Sequence, residues 1–207
     1  MENIFKKNRF NYALLAGLLC ALFISLAEFG YACDDLKTNV LRLHIIANSD
    51  SKEDQALKLK VRDKLQEFGG NIFEDASDLD SAIAVAGNFI PQFERIANEV
   101  ITVNGFDYTA TAKVGNSYFE TREYDDFTLP AGNYKSLIVT LGEGKGKNWW
   151  CVIFPEVCLP AASDAKLSDV TTQKTAKIAY SKEKYIMRFK FIEVYENIKK
   201  SLKKNNF

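Results

Sequence analysis

The chain contains a single histidine, His44, so nucleophilic chemistry that depends on an imidazole has one possible centre. His44 and Cys151 could be drawn as a thiol–imidazole pair, which makes a thiol hydrolase one alternative function. However, no motif flanks Cys151, and His44 stands in a stretch that predicts a strand with one solvent-facing side. A histidine at such a position is more often a surface residue, and we predict that the protein is not an enzyme and has no catalytic residues.

Phosphate and metal sites are also disfavoured by residue spacing. The segment GEGKGK, residues 142–147, lacks Ser or Thr after its lysine and has the wrong glycine spacing for a phosphate-binding loop. It predicts a flexible turn between two strands. A zinc site would have to combine one histidine with cysteines scattered along the chain, and the adjacent carboxylates Asp125 and Asp126 are typical of a solvated loop. We therefore predict neither a metal nor a cofactor.

Two adjacent tryptophans, Trp149 and Trp150, could contribute to binding. In an alternating strand one ring enters the core and the other faces outwards. An exposed tryptophan could contact a sugar or a protein partner. A wall-associated glycan-binding module is therefore a second alternative function.

Charge is balanced along the chain. Its 207 residues include 27 basic and 27 acidic side chains, so no overall field favours nucleic acid. A hydrophobic content of 47% is enough to bury a substantial core. We predict a folded protein without a nucleic-acid partner and without a small-molecule substrate.

The N-terminal 32 residues differ in kind from the rest. Three basic residues precede an uncharged, largely apolar run, residues 10–27. This pattern predicts an export segment that is either cleaved or kept as a membrane anchor. Small residues at Gly30 and Ala32 suit a cleavage site that would make Cys33 the first mature residue. We predict an export signal or anchor over 1–32 and one extracytoplasmic domain over 33–207.

Export agrees with the cysteines outside the apolar run. In an oxidising compartment Cys151 and Cys158 are a candidate disulfide pair, with two buried thiols as the alternative. A straight strand would hold the two residues about 23 Å apart. The pairing therefore requires a chain reversal, which we place at Pro155–Glu156.

Local patterns predict a strand followed by a helix. In VLRLHIIA, residues 40–47, alternation places Leu41, Leu43 and Ile45 on one side of a half-buried strand and Arg42 and His44 on the other. Asp50 or Ser51 can cap the helix that follows, and Gly69–Gly70 would end it. Its inward stripe comprises Leu57, Val61, Leu65 and Phe68.

A second helical pattern begins after a cap at Ser77 or Asp78 and runs to Val100. Pro91 lies inside this pattern, where its ring and missing amide hydrogen are incompatible with a straight helix. We predict a kink or break at residues 89–91.

The remainder reads as β structure and then a mixed C-terminal segment. Turns predicted at Asn104–Gly105 and Gly115–Asn116 separate strands of an antiparallel meander. The polar stretch 160–177 predicts a loop with one helical turn, and Tyr185–Phe191 predicts a strand that precedes a final helix. The fold class is therefore α+β, with an N-terminal strand and two helices packed on the meander.

Three long strings resemble the stage II sporulation protein R family of endospore-forming bacteria: LRLHIIANSDSKEDQALKLKVRDKL, LPAGNY and GEGKGKNWWCVIFPEVCLP. The resemblance implies a secreted sporulation signal, exported to the space between the forespore and mother-cell membranes. It also implies a partner, a membrane-embedded aspartic-type peptidase that matures the pro-sigma-E factor. Protease activation by docking, without catalysis by this chain, is the expected role.

We expect partner contact from polar residues that neither capping nor core packing explains. Charge reversal at Lys58 and Arg62 should then abolish activation and leave the fold intact. The complete set of candidate contact residues is Arg42, His44, Asn48, Gln55, Lys58 and Arg62.

Overall fold

The computed structural model describes residues 2–73, 75–124, 127–155 and 167–204. The helices are α1 (Glu2–Asn39), α2 (Lys52–Ile72), α3 (Leu79–Asn88), α4 (Ile90–Val103), α5 (Leu167–Val170), α6 (Gln173–Tyr180) and α7 (Lys182–Lys204). The strands are β1 (Leu41–Ile46), β2 (Ala110–Phe119), β3 (Arg122–Glu123), β4 (Thr128–Leu129), β5 (Gly132–Leu141) and β6 (Asn148–Phe154). These elements confirm the α+β class.

A four-stranded sheet forms the centre of the domain, in the order β2-β5-β1-β6. Strand β1 runs parallel to β5 and antiparallel to β6, and it separates these two strands. The predicted antiparallel meander is therefore wrong at this point. The physical reason lies in β1, whose residues Leu41–Ile45 are all buried, so that the strand needs neighbours on both edges and cover on both faces.

Helices cover both faces of the sheet. Leu41, Leu43 and Ile45 of β1 face the main core, which α2, α3 and α4 complete. The opposite face is covered by the end of α1, by α6 and by the β3–β4 hairpin. The half-buried strand interpretation is consequently wrong, because Arg42 and His44 point into a second packed layer.

Helix α2 begins where its sequence predicts. Ser51 is the N-cap, and its hydroxyl accepts a hydrogen bond from the backbone N–H of Asp54 at 3.1 Å. The predicted end at Gly69–Gly70 is wrong, since the helix continues to Ile72. A Cβ at residue 69 would lie 3.3 Å from Cδ1 of Ile153, so this glycine serves close packing of α2 against β6.

The break predicted at residues 89–91 is confirmed. Helix α3 ends at Asn88, and Phe89 is both its C-cap and the N-cap of α4, with Pro91 in the first turn. A proline is tolerated there because the first helical N–H groups have no partner in the helix. Asp78, one of the two predicted cap residues, is the N-cap of α3.

Three predictions after residue 110 differ from the structure for non-local reasons. Gly115–Asn116 is no turn, because β2 continues through it in unbroken register with β5, from Ala110 opposite Leu141 to Phe119 opposite Gly132. The strand predicted at Tyr185–Phe191 is part of α7. Residues 160–166 of the predicted polar loop lie outside the described residues. Residues 167–170 form α5 and residues 173–177 begin α6, whose apolar side chains pack under the sheet.

Helix α1 joins the apolar segment to the domain without interruption. Its portion Arg9–Asn39 has the length and composition to cross a membrane, which is compatible with a signal peptide or an anchor. Beyond the apolar run, the same helix buries Phe29, Ala32, Cys33 and Leu36 against α6, α7 and the sheet. The predicted boundary after Ala32 thus lies within a helix that is continuous to Asn39.

Candidate functional site at the carboxyl end of strand β1

The carboxyl ends of the parallel strands β1 and β5 meet at one edge of the sheet, and a polar network occupies this edge. We call it the β1-end cluster; it comprises residues 47–50, Asp54, Gln55, Lys58 and the loop 142–147. Asp54 is its hub, because its carboxylate accepts hydrogen bonds from the Asn48 side chain at 2.9 Å, Ser49 Oγ at 2.5 Å and Tyr108 Oη at 2.6 Å.

The electrostatics of Asp54 follow from this position. Burial acts to raise the pKa of the carboxyl group, but the hydrogen bonds from Ser49, Tyr108, Asn48 and Ser51 outweigh it and hold the pKa below its ordinary value. The side chain stays ionised and accepts hydrogen bonds from two separate segments, the loop after β1 and Tyr108. Asp54 therefore fixes the loop after β1 against α2 and Tyr108.

The glycine-rich loop 142–147 lies against the segment that follows β1. The N–H of Gly146 donates to the Ala47 carbonyl at 2.8 Å, and the N–H of Lys145 donates to the Asn48 carbonyl at 3.0 Å. The side chain of Asn48 accepts from the N–H of Glu143 at 2.9 Å. A Cβ at residue 146 would lie 2.1 Å from the Ser49 carbonyl oxygen, so only glycine fits this approach. The predicted turn is confirmed as a loop between β5 and β6, although these strands are not neighbours.

Lys58 belongs to this network and not to the surface. It is 4% exposed, and its ammonium group donates to Oε1 of Gln55 at 2.6 Å and to the Lys147 carbonyl at 2.9 Å. Burial lowers the pKa of Lys58, the nearby charge of Asp50 opposes this, and Lys147 adds to the lowering. Gln55 in turn donates to the Ser49 carbonyl at 2.8 Å. Both side chains hold the two loops together.

Arg42 lies on the other face of β1, in a box of aromatic rings. Its guanidinium carbon is 3.7 Å from the ring centre of Phe119 and 4.9 Å from that of Tyr134, and one Nη donates to the hydroxyl of Tyr124. The side chain is fully buried, and its Nη1 has no hydrogen-bond partner among the described residues. Cation–π contact takes the place of water around this charge.

His44 occupies the same face, one pleat further along β1. Its ring stacks on Trp150 with centroids 3.9 Å apart, Nε2 donates to Oδ1 of Asn148 at 2.9 Å, and Nδ1 lies 3.0 Å from the Ser117 hydroxyl. This arrangement satisfies both nitrogens of a neutral imidazole. Burial lowers the pKa of His44, the charge of Arg42 lowers it further, and the bond to Asn148 opposes both.

The two tryptophans are both half-buried, which differs from the expected division into one inner and one outer ring. Trp149 packs against the main core. The guanidinium carbon of Arg62 lies 4.4 Å from the centre of the Trp149 ring, in a cation–π contact. Trp150 lies between His44 and Phe119. Each ring therefore already has protein groups against its face.

Three of the six candidate contact residues, Asn48, Gln55 and Lys58, come together in the β1-end cluster. The other three do not join them: Arg42 and His44 lie on the opposite face of the sheet, and Arg62 lies on the flank of α2 over Trp149. Asn48, Gln55 and Arg62 are half-buried and keep exposed atoms. Sequence reasoning missed the hub role of Asp54 and the role of Tyr108, for which no local signal exists.

Only one cysteine of the predicted disulfide pair lies within the described residues. Cys158 lies outside the described residues, so the candidate disulfide stays a prediction. Cys151 is buried in the main core, and Nε2 of Gln66 donates to its sulfur at 3.1 Å. Cys151 pairs with Leu43 in the sheet register, whereas His44 points to the opposite face. This separation argues against the thiol–imidazole pair.

The pKa of His44 predicts an acid-dependent loss of stability. Because the folded-state pKa lies below the ordinary value of 6.5, the unfolded chain binds more protons as the pH falls through that value. The free energy of unfolding should therefore decrease between about pH 7 and pH 5, with a slope of at most about 1.4 kcal/mol per pH unit. Urea unfolding at three pH values measures this slope.

His44→Gln is the matched control, because His44 is the only histidine of the chain. The variant should have a flatter profile in this window, whatever its stability at pH 7. Asp54 acts in a separate, lower window, since its contribution is lost only as the pH falls below the ordinary carboxyl range. Equal slopes for the two proteins would show that His44 titrates normally in the fold.

The fold and the cluster define an α+β domain built onto the end of an apolar helix. The family model of stage II sporulation protein R matches residues 37–164, and the chain belongs to this family. A stage II sporulation protein R of Bacillus subtilis (strain 168) is 36% identical over 118 residues, which cover 57% of this chain and 53% of the relative. The chain thus matches about half the length of that relative. No solved structure shows a significant match.

Membership of this family supports a role in sporulation. The matched segment contains β1 to β6, α2 to α4 and the β1-end cluster, whereas α6 and α7 lie beyond it. Among the described residues, no group of three or more His, Cys, Asp or Glu side chains is placed to hold a metal ion.

Proposed function

We propose that the chain is an exported sporulation signal, secreted or anchored by α1, that activates a membrane-embedded aspartic-type peptidase. Activation leads to maturation of the pro-sigma-E factor in the mother cell. The observation that carries the proposal is the family match over residues 37–164. This match begins in the last turn of the apolar helix and continues through the sheet of the domain. The space between the forespore and mother-cell membranes is the location that this role requires.

The mechanism is docking that favours one state of the partner. A ligand can shift a conformational equilibrium only by binding the active state more tightly than the inactive one. The chain would bind the extracytoplasmic part of the peptidase and stabilise its active, dimeric arrangement. A rigid recognition surface suits this task, because little conformational entropy is lost when it binds.

The edge of the sheet at the β1-end cluster supports such a surface. Asn48, Gln55 and Arg62 keep exposed atoms there and on the adjacent flank of α2. Glu143 and Lys145 project from the tip of the glycine-rich loop, with their side chains 68% and 74% exposed. In this proposal Lys58 acts by positioning these groups, whereas Arg42 and His44 stabilise the opposite face of the sheet.

Coexpression in a cell that does not sporulate tests the proposal. The host would contain the candidate peptidase, the pro-sigma-E substrate and the full chain, or the chain without residues 1–27. Processing of the substrate only when the full chain is present and exported is the expected result. Absence of processing with all three proteins present in the membrane fraction would contradict the proposal.

Arg62→Glu is the variant that separates binding from folding. It should abolish processing, because it reverses the charge at the cluster flank, and it should lower the free energy of unfolding by about 1 kcal/mol through loss of the cation–π contact with Trp149. Arg95→Glu on α4 is the control, since Arg95 has a 63% exposed side chain and forms an ion pair with the similarly exposed Glu99 on the same helix. Processing by Arg62→Glu at the level of Arg95→Glu would exclude Arg62 from the contact.

A further inference from the structure

Helix α7 carries a row of large apolar side chains that the other described residues leave exposed. They are Met187, Phe191, Val194, Ile198 and Leu202, with exposed fractions of 70%, 66%, 57%, 55% and 61%. The opposite face of the helix is the one that packs, through Phe189 at 2% and Glu196 at 7% exposure. At about 100° per residue the exposed row occupies an arc of about 80° centred opposite that packed face. We call this row the α7 stripe.

The spacing of the α7 stripe is that of a coiled-coil seam. Met187, Phe191, Val194 and Ile198 are separated by steps of four, three and four residues. These steps place Phe191 and Ile198 at a positions and Met187 and Val194 at d positions, with Ser201 as the next d. Such a seam buries its side chains against an equivalent helix.

The direction of α7 is set by its contacts with α1. Near the start of α7, Tyr185 and Phe189 lie against Phe29, with ring centroids 5.6 and 5.2 Å away. Further along both helices, Glu196 forms an ion pair with Lys37 at 3.2 Å. The two helices therefore run side by side in the same direction, and α7 extends away from the apolar run 10–27.

The direction of α7 determines whether lipid or another protein chain can cover the α7 stripe. With the apolar run in a membrane, the stripe rises from the bilayer surface over about 22 Å, at 1.5 Å per residue. A bilayer cannot cover a row that extends away from it. Every copy anchored in the same membrane, however, presents its stripe at the same height and in the same direction.

We propose that the α7 stripe pairs in parallel with the α7 stripe of a second copy of this chain in the same membrane. The flanking charges agree with a parallel pair. In this register the e and g positions set Lys190 against Tyr195 of the second copy and Asn197 against Leu202 of the second copy. Neither pairing opposes like charges, and a lysine next to an aromatic ring is favourable. The proposal rests on the anchored form in the proposed function.

The seam is short, so pairing of two copies depends on the membrane anchor. Between two and three heptads form a weak pair in dilute solution, whereas confinement to one membrane raises the effective concentration of the second copy. The full chain in vesicles should therefore associate, and the domain without residues 1–27 should be monomeric at the same concentration. Failure of the signalling proposal would leave this association unaffected, so the two are distinguished.

Disulfide cross-linking of the full chain in lipid vesicles tests the pairing. In a Cys20→Ser background, Val194→Cys and Ser201→Cys place a thiol at d positions, and Lys199→Cys places one on the flank of the same helix. Mild oxidation should produce covalent dimers at least ten times faster for the two seam variants than for Lys199→Cys. The parent protein with its remaining cysteines gives the background rate. Equal rates for seam and flank variants would overturn the proposal.

A second substitution examines what covers the stripe. Ile198→Asp should reduce the cross-linking rate of Val194→Cys at least ten-fold, while the thermal unfolding midpoint stays the same because residue 198 is exposed within one copy. Unchanged cross-linking would overturn the proposal. Protection of the thiol at position 194 from a water-soluble maleimide in vesicles that contain one copy each would do the same, because it would identify lipid as the cover.

Discussion

Lys58→Glu is expected to lower the free energy of unfolding by more than about 3 kcal/mol, because it places a carboxylate where two oxygen atoms already converge. In the native protein the Lys58 ammonium group donates to Oε1 of Gln55 and to the Lys147 carbonyl, and the side chain is 4% exposed. The new carboxylate would be buried and would face the two acceptor oxygens to which the Lys58 ammonium group donates. The loop 142–147 should separate from α2.

Two further variants provide reference values for the loss of stability expected from Lys58→Glu. Lys58→Met keeps most of the side-chain volume and leaves the Lys147 carbonyl without its donor, at a cost of about 1–3 kcal/mol. Lys64→Glu on the same helix should have only a small effect on stability, since the Lys64 side chain is 59% exposed. Urea unfolding of the three proteins measures the differences. A Lys58→Glu protein as stable as Lys64→Glu would mean that the Lys58 ammonium group is solvated and available for contact.

This result bears directly on how the candidate site is tested. The sequence led to the expectation that charge reversal at Lys58 and Arg62 would abolish activation and leave the fold intact. The contacts of Lys58 now predict that its reversal acts through the fold. Arg62 is half-buried and makes its contacts at the flank of α2, so it remains the position where loss of activation can be interpreted as loss of binding.

Removal of residues 1–32 is expected to destabilise the domain by about 3–5 kcal/mol relative to a chain that begins at Glu28. The difference between the two chains includes Phe29, which is 2% exposed and packs on Tyr185 and Phe189 of α7. Without Phe29 the inner face of α7 loses the aromatic contacts of Tyr185 and Phe189. Thermal and urea unfolding of the two truncated chains measure the effect.

Substitutions in the full chain control for the truncation itself. Phe29→Ala should reproduce most of the loss, whereas Tyr31→Ala should have little effect, because Tyr31 is 73% exposed on the same helix. Equal stability of the chains that begin at Glu28 and Cys33 would contradict the prediction. If the difference is found, cleavage after Ala32 would remove part of the domain core, and cleavage before Glu28 would preserve it.

Local sequence predicted the elements that local energetics control. Strand β1, the Ser51 cap of α2 and the break between α3 and α4 all follow from periodicity, side-chain capping and the missing N–H of Pro91. The apolar run in α1 is equally visible, as its composition alone meets the criterion for a membrane-crossing helix. In each case the residues that decide the outcome are neighbours in the chain.

The errors concentrate where distant segments decide. Gly115 and Asn116 look like a turn in isolation, but continuous pairing with β5 satisfies their backbone groups as part of a strand. Residues 185–191 have β-prone side chains, and they form a helix because that geometry places Tyr185 and Phe189 on Phe29. Tertiary contacts outweigh intrinsic propensity at both sites.

The sequence by itself determined the α+β class, the apolar N-terminal run, the cap candidates of α2 and α3 and the family to which the chain belongs. Only the tertiary structure decided that β1 lies between β5 and β6, that Arg42, His44 and Lys58 are buried, and that the α7 stripe is left exposed. The physical reason is that capping and periodicity depend on adjacent residues, whereas the burial of a polar side chain depends on which distant segments pack over it.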